Sequence, residues 1–223
     1  MFLFSSEIPR LNDYPLSTAS NYTEKKNLIR QRIRTHRRAL SRLQQKTAAT
    51  NLKRNHVLNN HLIRSKHIAL YLSNDGEISP DIIMTSLFKG KKHVYLPVMH
   101  PLKKNMIVFC RMRQQAKLKI NRFGIREPDF KSVKSLQPRL LSLVLFPLVA
   151  FDVSGNRMGM GGGFYDRAFA FKIKNQHLGP ALIGLAHDFQ KQKELPIEKW
   201  DIPLEGVATD KKFYRETERV SID

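Results

Sequence analysis

The sequence is poor in cysteine and in long apolar runs. Cys110 is the only cysteine in 223 residues, so no intrachain disulfide can form. No apolar run approaches the roughly 18 residues that a membrane-spanning helix needs. The first residues include Phe2 and Phe4 but lack the basic segment, the full apolar segment and the cleavage site of a secretory signal. These absences argue against a disulfide-stabilised secreted domain and against a membrane protein, and we expect a cytoplasmic location.

Acidic residues are also scarce, since 19 Asp and Glu face 39 Lys and Arg, which gives a net charge of +20. Such a charge favours either a nucleic-acid partner or a polyanionic small substrate bound by a generally basic protein. The basic residues are spread along the chain apart from a dense block at 25–42, which favours the small substrate. Aromatic-basic interleaving and recognised nucleic-acid motifs are both missing from the sequence. A nucleic-acid-binding protein nevertheless stays open as the alternative function.

The length and a hydrophobic content of 41% suit one globular α/β domain. We expect residues 1–22 to form an irregular extension and residues 23–223 to form the domain. Short apolar runs alternate with helical segments, which is typical of a mostly parallel sheet covered on both faces, a three-layer α/β/α architecture. The predicted strands cover residues 67–72, 93–97, 106–110, 143–146, 181–185 and 206–209. The predicted helices after the first one cover residues 47–63, 79–88 and 165–171.

The first predicted helix starts at residue 23, with Thr23 as its N-cap. Apolar residues recur near one face at about 3.6-residue spacing. They are Ile29, Ile33, Leu40 and Leu43. Arginines share a different side, and such a basic face is ordinarily solvated. They are Arg30, Arg34, Arg37 and Arg38.

The stretch 157–166 reads Arg-Met-Gly-Met-Gly-Gly-Gly-Phe-Tyr-Asp and contains four glycines. It follows an apolar run and precedes a predicted helix, which is where backbone N–H groups cradle phosphates. It is not a Walker A loop, because no Gly-Lys-Ser/Thr follows, and it is not a dinucleotide fingerprint, because Phe164 occupies the third glycine position. Arg157 can add positive charge to such a cradle, and Asp166 can hold a metal ion.

Residues 151–167 closely resemble the motif of the 5-formyltetrahydrofolate cyclo-ligase family, also called 5,10-methenyltetrahydrofolate synthetase. The family pattern is a strand ending in proline, then Ala-Phe-Asp, a short turn, Arg-x-Gly-x-Gly-(Gly/Lys)-Gly-Tyr-Tyr-Asp and a helix. The match includes Pro147 and Ala150, and Gly162 matches the bacterial branch. Phe164 replaces the first tyrosine. The resemblance extends over nearly the whole chain after Tyr22.

The resemblance implies a set of site residues. Arg157 and Tyr165 would be catalytic, Leu72 and Glu77 would bind the folate, and Asp166 would hold Mg²⁺. The ATP-binding residues would be Lys26, Asn27, Leu28, Ile29, Arg30, Arg157, Met158, Gly159, Met160, Gly161, Gly162, Gly163, Phe164 and Tyr165. From its position alone, Glu77 equally suits a ligand site after a strand and the N-terminus of a helix.

Two further segments resemble the family. Phe-Gly-Ile-Arg-Glu-Pro at 123–128 is expected to form a turn near the substrate. Near the C-terminus, Trp200 stands where the family normally has a histidine, and Asp201 follows as a second carboxylate for Mg²⁺.

The implied reaction is the ATP- and Mg²⁺-dependent conversion of 5-formyltetrahydrofolate to 5,10-methenyltetrahydrofolate, ADP and phosphate. The formyl oxygen would be phosphorylated and N10 would then close the ring. Such chemistry depends on positioning and charge neutralisation more than on acid-base catalysis. We expect a monomer or a weak dimer.

Overall fold

The computed structural model describes residues 22–121, 124, 126–130 and 133–215. The predicted extension, except for Tyr22, lies outside these residues, as do Phe123 and Ile125 of the predicted turn. The helices are α1 (Tyr22–Ala39), α2 (Arg42–Lys53), α3 (His56–Arg64), α4 (Asp81–Lys89), α5 (Phe164–Phe169) and α6 (Phe171–Lys174). None of the helices in the described ranges is both long and apolar enough to span a membrane.

The strands form one large sheet and two small ribbons. They are β1 (His67–Ala69), β2 (His93–Met99), β3 (Ile107–Met112), β4 (Leu118–Ile120), β5 (Arg126–Pro128), β6 (Ser135–Leu136), β7 (Leu143–Pro147), β8 (Ala150–Phe151), β9 (Arg157–Met158), β10 (Ala181–Ala186), β11 (Gly206–Thr209) and β12 (Phe213–Arg215). The eight-stranded sheet has the order β12-β11-β10-β7-β1-β2-β3-β6. Its centre, from β11 to β2, is parallel, and antiparallel strands extend both edges. The predicted α/β class with a mostly parallel sheet is confirmed.

Helices cover both faces of this sheet. Alternate residues of β7 point to opposite sides, so that Leu143 and Leu145 lie in one core cluster and Val144 and Phe146 in the other. The first cluster contains buried residues of α2, α3 and α4, and the second contains Phe169 of α5. Both faces of β7 are therefore buried, which explains its unbroken apolar sequence.

The helical predictions need three corrections in this N-terminal region. Thr23 lies inside α1, which begins at Tyr22, so Thr23 is not an N-cap. The helix ends at Ala39, because Ser41 caps α2 through a capping box, and Leu43 is consequently 73% exposed. The predicted helix at 47–63 is two helices, because the Asn55 side chain accepts a hydrogen bond from the backbone of Leu58 and starts α3.

The predicted strands were found in place, but their ends and the short strands were not predicted well. The strand at 206–209 has the predicted bounds, whereas β1 stops at Ala69 rather than at residue 72. The ribbons β4-β5 and β8-β9 and the edge strands β6 and β12 were missed. Each has two or three residues, which is too short for a recognisable alternation of apolar and polar side chains.

Candidate active site

The glycine loop at 159–163 leaves the β8-β9 hairpin and enters α5. Asp152 fixes the hairpin turn, since its buried carboxylate accepts hydrogen bonds from the backbone N–H groups of Ser154 and Asn156. Gly161 and Gly163 have φ values of 92° and 61°, which disfavour any residue with a Cβ. The middle of the loop is exposed. The sequence therefore builds an accessible backbone loop directly before a short helix.

Basic side chains of α1 lie against this loop, although the two segments are far apart in sequence. Arg30 Nε donates to the Gly159 carbonyl at 3.0 Å, and Arg30 Nη1 donates to Asn27 Oδ1 at 2.9 Å. Lys26 Nζ lies 3.2 Å from a carboxylate oxygen of Glu198 and 3.9 Å from Asp201 Oδ2. The structure thus brings the predicted N-terminal residues, the glycine loop and Asp201 together.

Not every residue of the predicted nucleotide site has a free side chain. Ile29 and Met158 are buried in a small core cluster beneath α1 and the hairpin. Leu28 is half-buried, whereas Met160 is 52% exposed. A nucleotide above the loop would meet the side chains of Lys26 and Met160 rather than the buried ones.

Arg157 and Asp166 form an ion pair at the base of the loop. Arg157 Nη2 lies 2.5 Å from Asp166 Oδ1, and the backbone N–H of Ile202 donates to the same oxygen at 3.3 Å. The Arg157 guanidinium also lies over the Phe146 ring, 5.0 Å from its centroid. Its Nε is buried and has no hydrogen-bond partner among the described residues. This donor is suited to an additional acceptor, since an unsatisfied buried donor costs about 1–3 kcal/mol.

The predicted folate side of the site adjoins this pair through Tyr165. The Tyr165 ring packs against Phe146 at 4.7 Å between centroids. Burial raises the pKa of the Tyr165 hydroxyl, and the nearby charge of Glu77 raises it further. Burial also raises the pKa of Glu77 to about 7, although a hydrogen bond from the Asn74 backbone opposes the shift. Leu72 is half-buried against the core.

The two predicted metal ligands are carboxylates on adjacent segments. In the described part of the chain no three Asp, Glu, His or Cys side chains are grouped so as to cage a metal ion. Asp166 uses Oδ1 for its hydrogen bonds, and Asp201 uses Oδ2 to accept from the backbone of Glu198 at 2.8 Å. Each keeps a second oxygen without a hydrogen-bond partner in these same ranges. Two such carboxylates fit Mg²⁺, which is ordinarily bound by one or two carboxylates together with phosphates and water.

Sequence reasoning missed several buried polar residues near Glu77. Arg37 was assigned to a basic face that is ordinarily solvated, but it is fully buried and contacts Asp75. His187 is 2% exposed, and burial lowers its pKa to about 4. The spacing of Arg37 from Ile33, four residues earlier, is the signal that would have assigned it to the buried face. Cys110 is buried.

Comparisons with known proteins show which family the chain resembles. The model of the 5-formyltetrahydrofolate cyclo-ligase family matches residues 22–210. A 5-formyltetrahydrofolate cyclo-ligase of Haemophilus influenzae is 44% identical over 185 residues, which are 82% of this chain and 96% of that protein. The one of Escherichia coli K12 is 38% identical over 183 residues, 82% of this chain and 98% of that protein. The structure of Aquifex aeolicus 5,10-methenyltetrahydrofolate synthetase is similar with a TM-score of 0.69 and 28% identity, over 89% of this chain and 96% of that one.

Proposed function

Because the chain belongs to the 5-formyltetrahydrofolate cyclo-ligase family, we propose that it converts 5-formyltetrahydrofolate to 5,10-methenyltetrahydrofolate with ATP as the phosphate donor. ADP and phosphate are the other products. The observation that carries the proposal is the cluster of α1 cations at the glycine loop, where Arg30 Nε lies 3.0 Å from the Gly159 carbonyl. A triphosphate needs several cations around it, and this cluster supplies them beside exposed backbone N–H groups.

The charged residues divide between the two substrates. Lys26, Arg30 and Arg157 bind phosphate oxygens, and the backbone of the loop 159–163 lines the phosphates. Arg157 is suited to the γ-phosphate because its buried Nε lacks an acceptor in the described structure and because a guanidinium can bind two oxygens at once. Glu77, whose charge is near enough to raise the pKa of Tyr165, accepts hydrogen bonds from N–H groups of the pterin.

Asp166 and Asp201 are the residues that would hold Mg²⁺, since each has a carboxylate oxygen that is not used in its hydrogen bonds within the described residues. When bound, the ion neutralises charge on the phosphates of ATP. Arg157 would then exchange part of its contact with Asp166 for contacts with the nucleotide. This exchange keeps both charged side chains paired before and after binding.

The chemical difficulty in this reaction is the formyl oxygen, which is an amide oxygen and a poor leaving group. In-line attack of this oxygen on the γ-phosphorus forms a P–O bond to it and releases ADP. N10 then adds to the activated carbon, the C–O bond breaks, and the oxygen leaves with the phosphate, which takes up the proton that N10 loses. The Tyr165 hydroxyl stays protonated because its pKa is raised, so it acts as a hydrogen-bond donor and not as a base. Orientation and charge neutralisation supply the catalysis.

Substitutions at two neighbouring lysines test the nucleotide assignment. Lys26 is held near Asp201, whereas the adjacent Lys25 is exposed. We expect Lys26→Met to raise the KM for ATP about tenfold, because the variant loses one charge-assisted contact with a phosphate. The matched variant Lys25→Met should keep the KM within about twofold, as expected for an exposed charge. Equal KM values for ATP in the two variants would remove Lys26 from the site.

A further inference from the structure

The turn that carries Glu77 is held by an ionic cluster around Asp75, in which Arg37 is fully buried. Asp75 accepts hydrogen bonds from Arg34 at 2.7 Å and Arg37 at 2.9 Å, and it also pairs with Arg38. Burial acts to raise the pKa of Asp75, but the hydrogen bonds from the three arginines outweigh it and the pKa is lowered. Asp75 is therefore a carboxylate at neutral pH. The arginines differ in exposure, since the Arg37 side chain is 0% exposed and that of Arg38 is 58% exposed.

Gly76, the next residue, is held equally closely. Its carbonyl lies 3.0 Å from Gln45 Nε2 and 3.2 Å from His187 Nε2. A Cβ built at Gly76 would lie only 2.7 Å from the Arg37 carbonyl oxygen, so α1 is in direct contact with this backbone. Three elements, α1, α2 and the end of β10, consequently hold one peptide group.

Glu77 takes its position from this turn. Its backbone N–H donates to the Asn74 carbonyl at 3.0 Å, and its Oε2 accepts from the Asn74 backbone N–H at 3.0 Å. Both contacts lie within the turn 73–77. The carboxylate therefore cannot shift without the turn, and the turn is fixed from outside by Asp75 and Gly76.

Arg37 also reaches the other half of the site. Its Nη1 donates to the Leu148 carbonyl at 3.3 Å. The next residue, Val149, donates its backbone N–H to the Met158 carbonyl at 2.7 Å, directly before the glycine loop. One buried guanidinium thus contacts both the Glu77 turn and the segment that leads into the glycine loop.

We propose that Arg37 and Asp75 are positioning residues for the folate substrate, which hold Glu77 at a fixed place relative to the glycine loop. Neither residue is a catalytic residue, because the Arg37 Nη atoms contact Asp75 and the Leu148 carbonyl, and both residues act on Glu77 through the turn. This inference rests on the proposed function of Glu77 in folate binding. A residue of this kind should affect the KM for the folate more than the KM for ATP.

The test is a double-mutant cycle on the full-length enzyme, with KM for 5-formyltetrahydrofolate and for ATP measured separately. The variants are Asp75→Asn, Glu77→Gln and the pair, with Arg38→Met as the matched control that removes an exposed partner of Asp75. Arg37→Lys, which keeps a buried cation, replaces Asp75→Asn in the cycle if the latter does not fold. We expect Asp75→Asn to raise the folate KM about tenfold and to leave the ATP KM within about twofold. Arg38→Met should leave both KM values within about twofold.

The double variant distinguishes positioning from a general loss of stability. If Asp75 acts through Glu77, the pair should be no worse than Glu77→Gln alone, because the effects of residues that act through one hydrogen-bonded network are not additive. Additive effects, or an unchanged folate KM in Asp75→Asn, would overturn the inference. Different results would contradict the proposed function itself. They are a wild-type protein without ATP-dependent turnover, or a Glu77→Gln variant with an unchanged KM for the folate.

Discussion

Arg157 and Asp166 neutralise each other across 2.5 Å at the base of the glycine loop. The sequence predicted the two residues as the charged ends of a phosphate cradle, one for the nucleotide and one for the metal. In the structure these two ends contact each other. In the proposed reaction Arg157 must therefore share its contacts between Asp166 and the phosphates, and Asp166 should be essential for turnover.

Asp166→Asn tests this pair. It keeps the size of the side chain but removes the negative charge needed for Mg²⁺ and for Arg157. We expect ATP-dependent turnover to fall by at least about 100-fold, the usual scale for loss of a preorganised electrostatic group. The matched control is Asp129→Asn, which removes the negative charge of an exposed ion pair with Lys119. This variant should keep turnover within about twofold of the wild type. Similar turnover in the two variants would exclude Asp166 from the mechanism.

Gly76→Ala tests the packing of the Glu77 turn. Gly76 has φ of 73°, and an added Cβ would lie 2.7 Å from the Arg37 carbonyl oxygen. Gly124 is the matched control, since its φ is 74° but no described atom lies within 4 Å of an added Cβ. We expect Gly124→Ala to lower the free energy of unfolding by about 1–2 kcal/mol, from backbone strain alone. In urea unfolding, Gly76→Ala should lower the free energy of unfolding more than Gly124→Ala does. An equal decrease in the two variants would contradict the close contact at Gly76.

Glu77 and His187 should give the stability opposite dependences on pH. The folded state raises the pKa of Glu77 from 4.5 to about 7, so its unfavourable contribution grows as the pH rises through this range. It lowers the pKa of His187 from 6.5 to about 4, so that contribution grows as the pH falls. In the pH range between these pKa values, the contribution of Glu77 to stability falls as the pH rises, whereas that of His187 increases. The wild type should therefore show little net change from these two residues.

Single substitutions should separate the two slopes. Glu77→Gln should increase the free energy of unfolding more at about pH 8 than at about pH 4.5, by on the order of 2 kcal/mol. His187→Gln should show the reverse order, with the larger gain or smaller loss at the lower pH. Urea unfolding at the two pH values measures both. The same pH dependence in both variants would contradict the assignment of the shifts to these residues.

Trp200 provides a direct signal of ligand binding, because it is the only tryptophan in the chain and is 63% exposed beside Asp201. We expect MgATP to change its fluorescence with saturation, since the charge and solvation around the segment 198–202 change on binding. Lys26→Met should shift this titration to higher nucleotide concentration, whereas Lys25→Met should not. A constant emission during normal turnover would mean that this segment does not adjoin the nucleotide.

The sequence predicted the sheet well because its central strands are buried on both faces and therefore have continuous apolar sequences. The strand at 206–209 was predicted at the observed position, and the helix predicted at 79–88 was found at Asp81–Lys89. Short edge strands such as Ser135–Leu136 have no comparable pattern, since two residues define no period. The break between α1 and α2 depended on the capping by Ser41, a local hydrogen bond that competed with a continuing apolar periodicity.

The motifs predicted which segments form the site, but they did not predict how the side chains of these segments pair. The resemblance assigned the glycine loop and the segment with Lys26 and Arg30 to one nucleotide site, and in the structure the two segments are in contact. The pairing of Arg157 with Asp166 and the burial of Arg37 were not foreseen, because they depend on long-range packing. The helical spacing of Arg37 could have indicated its burial, but the sequence alone does not indicate which distant carboxylate pairs with it.

The central claim is tested most directly by mixing the purified protein with 5-formyltetrahydrofolate and MgATP and following the near-ultraviolet absorbance of the methenyl product together with ADP. The account predicts an absorbance increase that requires ATP and Mg²⁺, with one ADP formed per methenyl product. No increase in absorbance, or an increase that proceeds equally without ATP, would contradict it.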